Sequence, residues 1–166
     1  MNPPLRHRKY LVTGASGYVG GRLVRALVDE KDDVRILVRD KNKIMGQPWA
    51  TQVDICEGSA ENFEDLQRSL EGVHTAFYLL HSINLGPHFD EIESEMARNF
   101  AKAAELAGVS QIIYLGGIAN DVNISKHLAS RAMTGSSLAT TSVAVLELRA
   151  GIIIGSGSAS LRCCVT

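Results

Sequence analysis

The chain has 166 residues, of which 45% are hydrophobic and 21% charged, and its formal net charge is −1. These values are typical of one ordinary globular domain with a real core. They argue against a nucleic-acid partner or an anionic membrane surface, and no run approaches the roughly 18 apolar residues of a membrane span. Three cysteines provide neither a disulfide framework nor metal-ligand spacing, so we predict a cytoplasmic protein without a metal site.

Strands and helices are predicted to alternate along the chain. The strands are predicted at residues 9–12, 34–38, 51–56, 73–80, 111–115 and 142–148. The helices are predicted at residues 18–29, 41–46, 63–70, 87–107 and 126–139, where Pro87 opens the fourth and Gly108 ends it. This alternation predicts a Rossmann-like, doubly wound parallel sheet with helices on both faces and strand order 3-2-1-4-5-6.

A glycine-rich turn joins the first strand to the first helix. Gly14 suits a tight turn with positive φ, Gly17 lets the backbone approach a pyrophosphate, and Gly20 lets the helix pack on the strand. The free N–H groups of the first helical turn would then face the anion. The predicted phosphate contacts are Gly14, Ala15, Ser16, Gly17, Tyr18, Val19 and Gly20. The alternative is a glycine-rich turn that binds nothing.

The residue that reads the adenosine ribose is expected just after the second strand, about 20 residues beyond the glycines. Arg39 stands there. A guanidinium can pair with a 2′-phosphate through two hydrogen bonds, which favours NADP. Asp40 is adjacent, and a shift of one residue would favour NAD instead, so NAD stays possible.

Six stretches together carry a family pattern: residues 10–23, 34–40, 76–82, 97–100, 113–117 and 147–160. They resemble the atypical short-chain dehydrogenase/reductase group, in particular its NmrA-like, NAD(P)H-binding branch. The resemblance implies 2′-phosphate contact at Arg39 and adenine contact at residues 58–59, including Ser59. It also implies nicotinamide contacts at residues 79–82, including Leu80 and His81.

The sequence departs from this family at the positions that carry chemistry. The proton-donating pair Tyr-x-x-x-Lys is absent, and Gly116 and Gly117 replace the serine expected after the fifth strand. The catalytic residues are therefore unknown. His81 could exchange a proton near the nicotinamide, or could be a polar loop residue. Lys126 and His127 could reach the same crevice, or could be a surface pair.

Two functions from different classes remain open. The first is an NADP-preferring oxidoreductase that transfers hydride between nicotinamide and an unidentified small carbonyl, enone or quinone. The second is a non-catalytic NAD(P) sensor that regulates a partner. We expect a lead-in at residues 1–8, one Rossmann domain at 9–160 and an atypical tail at 161–166. Relatives continue into a substrate-binding region, so the chain is expected to be the cofactor-binding half.

Overall fold

A computed structural model describes residues 8–81, 89–118, 126–151, 153 and 155. Its strands are β1 (Lys9–Thr13), β2 (Asp33–Val38), β3 (Asp54–Glu57), β4 (Thr75–Tyr78), β5 (Gln111–Gly117) and β6 (Ala144–Ala150). Its α-helices are α1 (Tyr18–Asp29), α2 (Phe63–Leu70), α3 (Phe89–Leu106) and α4 (Lys126–Leu138). Most of the expected lead-in, Pro87, and the expected tail lie outside the described residues. Within those described ranges, no helix combines the length and the apolar character needed to cross a membrane.

The six strands form one parallel sheet in the order β3-β2-β1-β4-β5-β6, which confirms the predicted topology. β1 pairs with β2 from Lys9 to Thr13 and with β4 from Tyr10 to Val12. The strand order therefore reverses at the β1–β4 boundary. In doubly wound sheets, ligands bind outside the carboxyl ends of the strands at such a boundary.

Both faces of the sheet are covered by helices, as predicted. On one face, α1 packs through the buried Val24 against β1 and β2, and Trp49 and Ile44 complete that core. On the other face, α2, α3 and α4 enclose a larger core built around Phe100, Leu66 and other fully buried side chains. These two cores fix the strand ends that form the candidate site.

Predicted strand boundaries differ from the observed ones by up to three residues, and two of these differences have an identifiable reason. The strand expected at 51–56 begins only at Asp54, because residues 50–52 form a 3-10 turn that follows the buried Trp49. The strand expected at 73–80 ends at Tyr78, because the next amide, Leu79 N–H, donates to the Thr13 hydroxyl at 3.1 Å. The helix expected at 41–46 is a 3-10 turn at Lys41–Lys43.

Arg35 of β2 holds the carboxyl end of α2 against the sheet. Its Nη1 donates to the carbonyl oxygens of Arg68, Ser69 and Glu71 at 3.3, 3.1 and 2.9 Å. Its Nε donates to Asp54 Oδ2 at 2.7 Å, and only 16% of its side chain is exposed. Burial raises the pKa of Asp54, but the hydrogen bond and charge of Arg35, together with Lys9, outweigh it and leave that pKa below its ordinary value.

We therefore expect Arg35→Met to lower the free energy of unfolding by about 1–3 kcal/mol, because it removes charge-assisted hydrogen bonds at a shielded site. Arg35→Lys should lose less, since it keeps the charge but not the planar fork. Urea denaturation measures both. The matched control is Arg25→Met, whose ion pair with Asp29 is 70% and 69% exposed on the two sides. It should change stability by less than about 0.5 kcal/mol. Equal losses of stability at both arginines would contradict the role of Arg35 in holding the carboxyl end of α2 against the sheet.

Candidate functional site

The glycine loop is joined directly to the end of β4. Gly14 has φ +70°, and a Cβ at this position would lie 2.8 Å from the Leu79 carbonyl oxygen. The fully buried Thr13 hydroxyl donates to the Phe77 carbonyl at 3.0 Å and accepts the Leu79 N–H. Thr13 and Gly14 thus hold the ends of β1 and β4 together at the point where the strand order reverses.

The loop leads into a helix whose first amides have no side-chain cap. Gly17 is the N-cap residue of α1 and has no side chain with which to cap that turn. A Cβ at Gly20 would overlap the Gly14 carbonyl group, so only glycine allows this close approach of helix and loop. Uncapped N–H groups at a helix N-terminus can bind an anion.

A cleft of about 490 Å³ opens beside this loop, and we call it the main cleft. Six of the predicted cofactor-binding residues line it: Gly14, Ser16, Arg39, Ser59, Leu80 and His81. These residues follow β1, β2, β3 and β4, so four strand ends meet at one opening. Gly58, which the resemblance pairs with Ser59, lines it too. Thr13, Glu61 and Met96 also line the main cleft but were not predicted as contacts.

The remaining predicted loop residues lie away from the main cleft. Ala15, Gly17 and Tyr18 border a separate groove of about 410 Å³ beside Arg22 and Arg25. Tyr18 lies under Arg22, whose guanidinium carbon is 3.7 Å from the ring centroid. Val19 is partly buried and Gly20 is buried. Within the loop, only Ser16 borders both the main cleft and this groove.

The neighbouring side chains of Arg39 and Asp40 have different roles in the structure. Arg39 is exposed and lines the main cleft. The Asp40 carboxylate caps the following 3-10 turn, where its Oδ1 accepts hydrogen bonds from Asn42 N and Nδ2, each at 3.0 Å. One carboxylate, Glu61, also lines the main cleft and would oppose an anionic ligand.

Ser59 is held by local hydrogen bonds. Its backbone N–H donates to Asp65 Oδ2 at 2.9 Å, and its hydroxyl accepts the Glu61 N–H at 3.2 Å. The Ser59 N–H, together with Arg68, keeps the pKa of Asp65 below its ordinary value despite desolvation. Gly58 makes room for this contact, since a Cβ there would lie 2.6 Å from the Asp65 carboxyl carbon. Asp65 thus fixes the rim of the main cleft from within α2.

His81 meets an arginine that lies 50 positions further along the chain. Arg131 Nη2 is 2.7 Å from His81 Nε2 and 3.2 Å from the Leu115 carbonyl oxygen. An arginine can only donate, so His81 must accept through Nε2 and carry its proton on Nδ1. Desolvation first, and the Arg131 charge second, lower the pKa of His81 to about 4, while Glu93 opposes them. Because the residue as a whole is exposed, water screens part of this effect.

A polar cluster lies behind His81, between α3 and α4. The Ser130 hydroxyl donates to Glu93 Oε2, and Glu93 adds to the burial that raises the pKa of Tyr78. Tyr114 is fully buried, as expected for a core residue, and its hydroxyl donates to the Arg131 carbonyl at 3.0 Å. These contacts position α4, and with it Arg131, against the ends of β4 and β5.

The other sequence candidates contribute less. Cys56, the last residue of the strand expected at 51–56, lies one residue before the end of β3. It is a half-buried free thiol. Ser82 and the side chains of Lys126 and His127 lie outside the described residues. No group of three or more His, Cys, Asp or Glu side chains in the described part of the chain is placed to hold a metal ion.

A family model described as NAD(P)H-binding matches residues 14–150. The chain belongs to this NAD(P)H-binding family. The match begins inside the glycine loop and ends at the last residue of β6, so it includes every strand except β1. It agrees with the resemblance derived from the motifs.

Named relatives of this family member are oxidoreductases. The chain is 30% identical over 116 residues to a 3-beta-hydroxysteroid dehydrogenase of Mycolicibacterium neoaurum, covering 64% of this chain and 31% of that protein. It is 26% identical over 148 residues to a ceramide reductase of Caulobacter vibrioides, covering 88% and 46%. The chain therefore spans less than half the length of both relatives.

Among solved structures, the fold is similar to that of a triphenylmethane reductase from Citrobacter sp. One structure of it superposes with TM-score 0.70 at 26% identity, covering 85% of this chain and 48% of that one. Another, in complex with NADP(H), superposes with TM-score 0.72 at 24% identity, covering 84% and 48%. This protein is thus similar to reductases of about twice its length.

The lowered pKa of His81 should make the free energy of unfolding depend on pH. Because its pKa is lowered in the fold, the unfolded chain binds a proton more readily between about pH 4 and the ordinary value of 6.5. The contribution of His81 should therefore be complete above pH 6.5 and decline as the pH falls toward 4. We expect the stability difference between wild type and His81→Asn to shrink over that window. Urea midpoints at half-unit pH intervals measure it, and parallel pH profiles would contradict the assignment.

Proposed function

We propose that this protein is an NADP-preferring oxidoreductase of the short-chain type, with its coenzyme in the main cleft. The observation that carries the proposal is that Gly14 and Ser16, in the loop that leads into α1, line the same cleft as Arg39. The loop amides, with Ser16, would hold the pyrophosphate, and Ser59 would border the adenine. Leu80 and His81 would border the nicotinamide.

The choice of NADP over NAD rests on two adjacent side chains. Arg39 lines the main cleft, where a 2′-phosphate could pair with its guanidinium. Asp40, the competing residue, uses its carboxylate to cap a turn and does not line that cleft. The triphenylmethane reductase of similar fold was solved with NADP(H), which supports the same choice.

The chain's own residues would bind and orient, and the coenzyme would supply the hydride. Leu80 and Met96 give the main cleft part of its apolar wall. His81 presents a neutral imidazole whose Nε2 is occupied by Arg131. It therefore holds its proton at Nδ1. The acceptor would be a small carbonyl, enone or quinone. The protein's three cysteines provide no disulfide framework, which favours a reducing, cytoplasmic location.

The coenzyme preference is tested at Arg39. We expect Arg39→Ala to weaken NADPH binding about tenfold to a hundredfold, as the loss of a charge-assisted pair implies, while NADH binding changes little. Arg39→Asp should weaken NADPH further and remove its advantage over NADH. Fluorescence titration of each reduced coenzyme measures the dissociation constants.

Two control variants sharpen this test. Lys43→Asp makes the same charge change at an exposed residue outside the main cleft, and should leave the preference intact. Asp40→Asn should leave both affinities unchanged if Asp40 only caps its turn. A wild type without preference for NADPH, together with an Arg39→Asp variant that binds like it, would contradict the assignment of the 2′-phosphate.

A non-catalytic NAD(P) sensor is the second candidate, favoured by the absent Tyr-x-x-x-Lys pair. Turnover separates the two functions. With NADPH and a panel of aldehydes and quinones, the oxidoreductase predicts steady oxidation of the coenzyme, followed as loss of its absorbance. A protein that binds NADPH tightly but oxidises it no faster than buffer, with any member of the panel, would instead support the sensor.

A further inference from the structure

A third cavity lies where the carboxyl ends of β5 and β6 meet α4, and we call it the β5–β6 cavity. Its volume is about 390 Å³. Ile118 and Ile153 line it with 52% and 37% of their surfaces exposed, and Leu128 also forms part of its wall. Small backbone-rich positions make up most of the rest. The β5–β6 cavity is therefore suited to an apolar molecule.

Arg131 is the one charged side chain among the described residues that line this cavity. Its Nη2 has two acceptors, at His81 and Leu115, but its buried Nε has none. No carboxylate of the described ranges forms an ion pair with it. A half-buried cation without an ion-pair partner is costly unless an opposite charge is supplied from outside. The orphaned Nε is enclosed and cannot be reached from the cavity, so a ligand's negative charge would pair with the rest of the guanidinium.

Gly117 keeps the space that Arg131 occupies. A Cβ at this position would lie 2.8 Å from Leu128 Cδ2 and 3.3 Å from Arg131 Cδ. Any larger residue at the end of β5 would displace the arginine or the cavity wall. The glycine that replaces the family's expected serine therefore has a structural consequence, because it allows a cation to lie over the end of β5.

The same arginine connects the β5–β6 cavity to the main cleft. Its contact with His81, at 2.7 Å, brings it to a residue that lines the main cleft at the proposed nicotinamide end. A molecule held in the β5–β6 cavity by Arg131 would thus lie next to that end. Because the guanidinium is a planar fork of donors, it matches a carboxylate better than a hydroxyl or an amide.

We propose that the β5–β6 cavity is the acceptor subsite and that Arg131 selects apolar molecules that carry a carboxylate. The role of the bound molecule as hydride acceptor rests on the proposed oxidoreductase function, whereas the binding site itself does not. Arg131 binds the carboxylate, the apolar walls enclose the body of the molecule, and His81 holds the arginine in place.

Calorimetric titration of the full chain with 2-naphthoate tests the proposal, with 2-naphthylmethanol as a neutral probe of similar shape. We expect 2-naphthoate to bind with a dissociation constant below about 1 mM, and at least tenfold tighter than the alcohol. Arg131→Met should weaken 2-naphthoate at least tenfold and leave the alcohol unchanged. Arg131→Lys keeps the charge and should lose less, and the remote Lys43→Met should lose nothing.

Three results would overturn the proposal: no binding of 2-naphthoate to the wild type, equal binding of both probes, or unchanged 2-naphthoate binding in a folded Arg131→Met variant. Titrations with NADPH present distinguish this site from the main cleft. Binding of 2-naphthoate should persist with NADPH bound, and displacement by NADPH would also overturn the subsite. A chain that binds 2-naphthoate through Arg131 but does not bind NADPH would instead contradict the proposed function and leave the carboxylate site standing.

Discussion

The junction between β1 and β4 is the constraint on which the rest of the structure depends. Strand pairing between them ends at Val12 and Phe77, and beyond that point the Thr13 hydroxyl replaces the backbone ladder with two hydrogen bonds of its own. Gly14 then passes so close to the Leu79 carbonyl that a Cβ would not fit. Because the two strands are held together here, the glycine loop turns toward α1 while β4 leads toward His81, and the main cleft opens between them.

Much of this arrangement was predictable because its signals are local. The bounds of α1 were predicted correctly, since Gly17 and the helical spacing of apolar residues mark its start and course. Strand order followed from the alternation of elements and the position of the glycine loop. The start of β3 was not predictable in this way. Trp49 is buried through tertiary packing against the α1 core, and the 3-10 turn that this packing imposes has no periodic pattern in the sequence.

The residues of the candidate site also differ in whether local sequence signals or tertiary packing reveal them. Arg39 was predicted from its place after the second strand, and Ser59, Leu80 and His81 from the family resemblance. All four line the main cleft, because the ends of parallel strands meet at one edge of the sheet. Arg131 was missed because it lies on a helix with weak amphipathic character and reaches His81 across 50 residues of sequence. The orphaned Nε that draws attention to it is a property of the packed structure. A residue whose importance comes from a missing partner leaves no pattern in a sequence.

The two arginines suggest how charge is arranged along the site. Arg39 follows β2 and lines the main cleft, where Leu80 and Met96 contribute apolar surface, and Arg131 lines the β5–β6 cavity and contacts His81. A neutral His81 fits this arrangement, because a second cation beside Arg131 would be repelled and the lowered pKa keeps the imidazole uncharged near neutral pH. Negative charge is therefore favoured beside each arginine and disfavoured against the apolar side chains. An anionic coenzyme group at Arg39 and a carboxylate at Arg131 would then lie in different openings, which the contact between His81 and Arg131 joins.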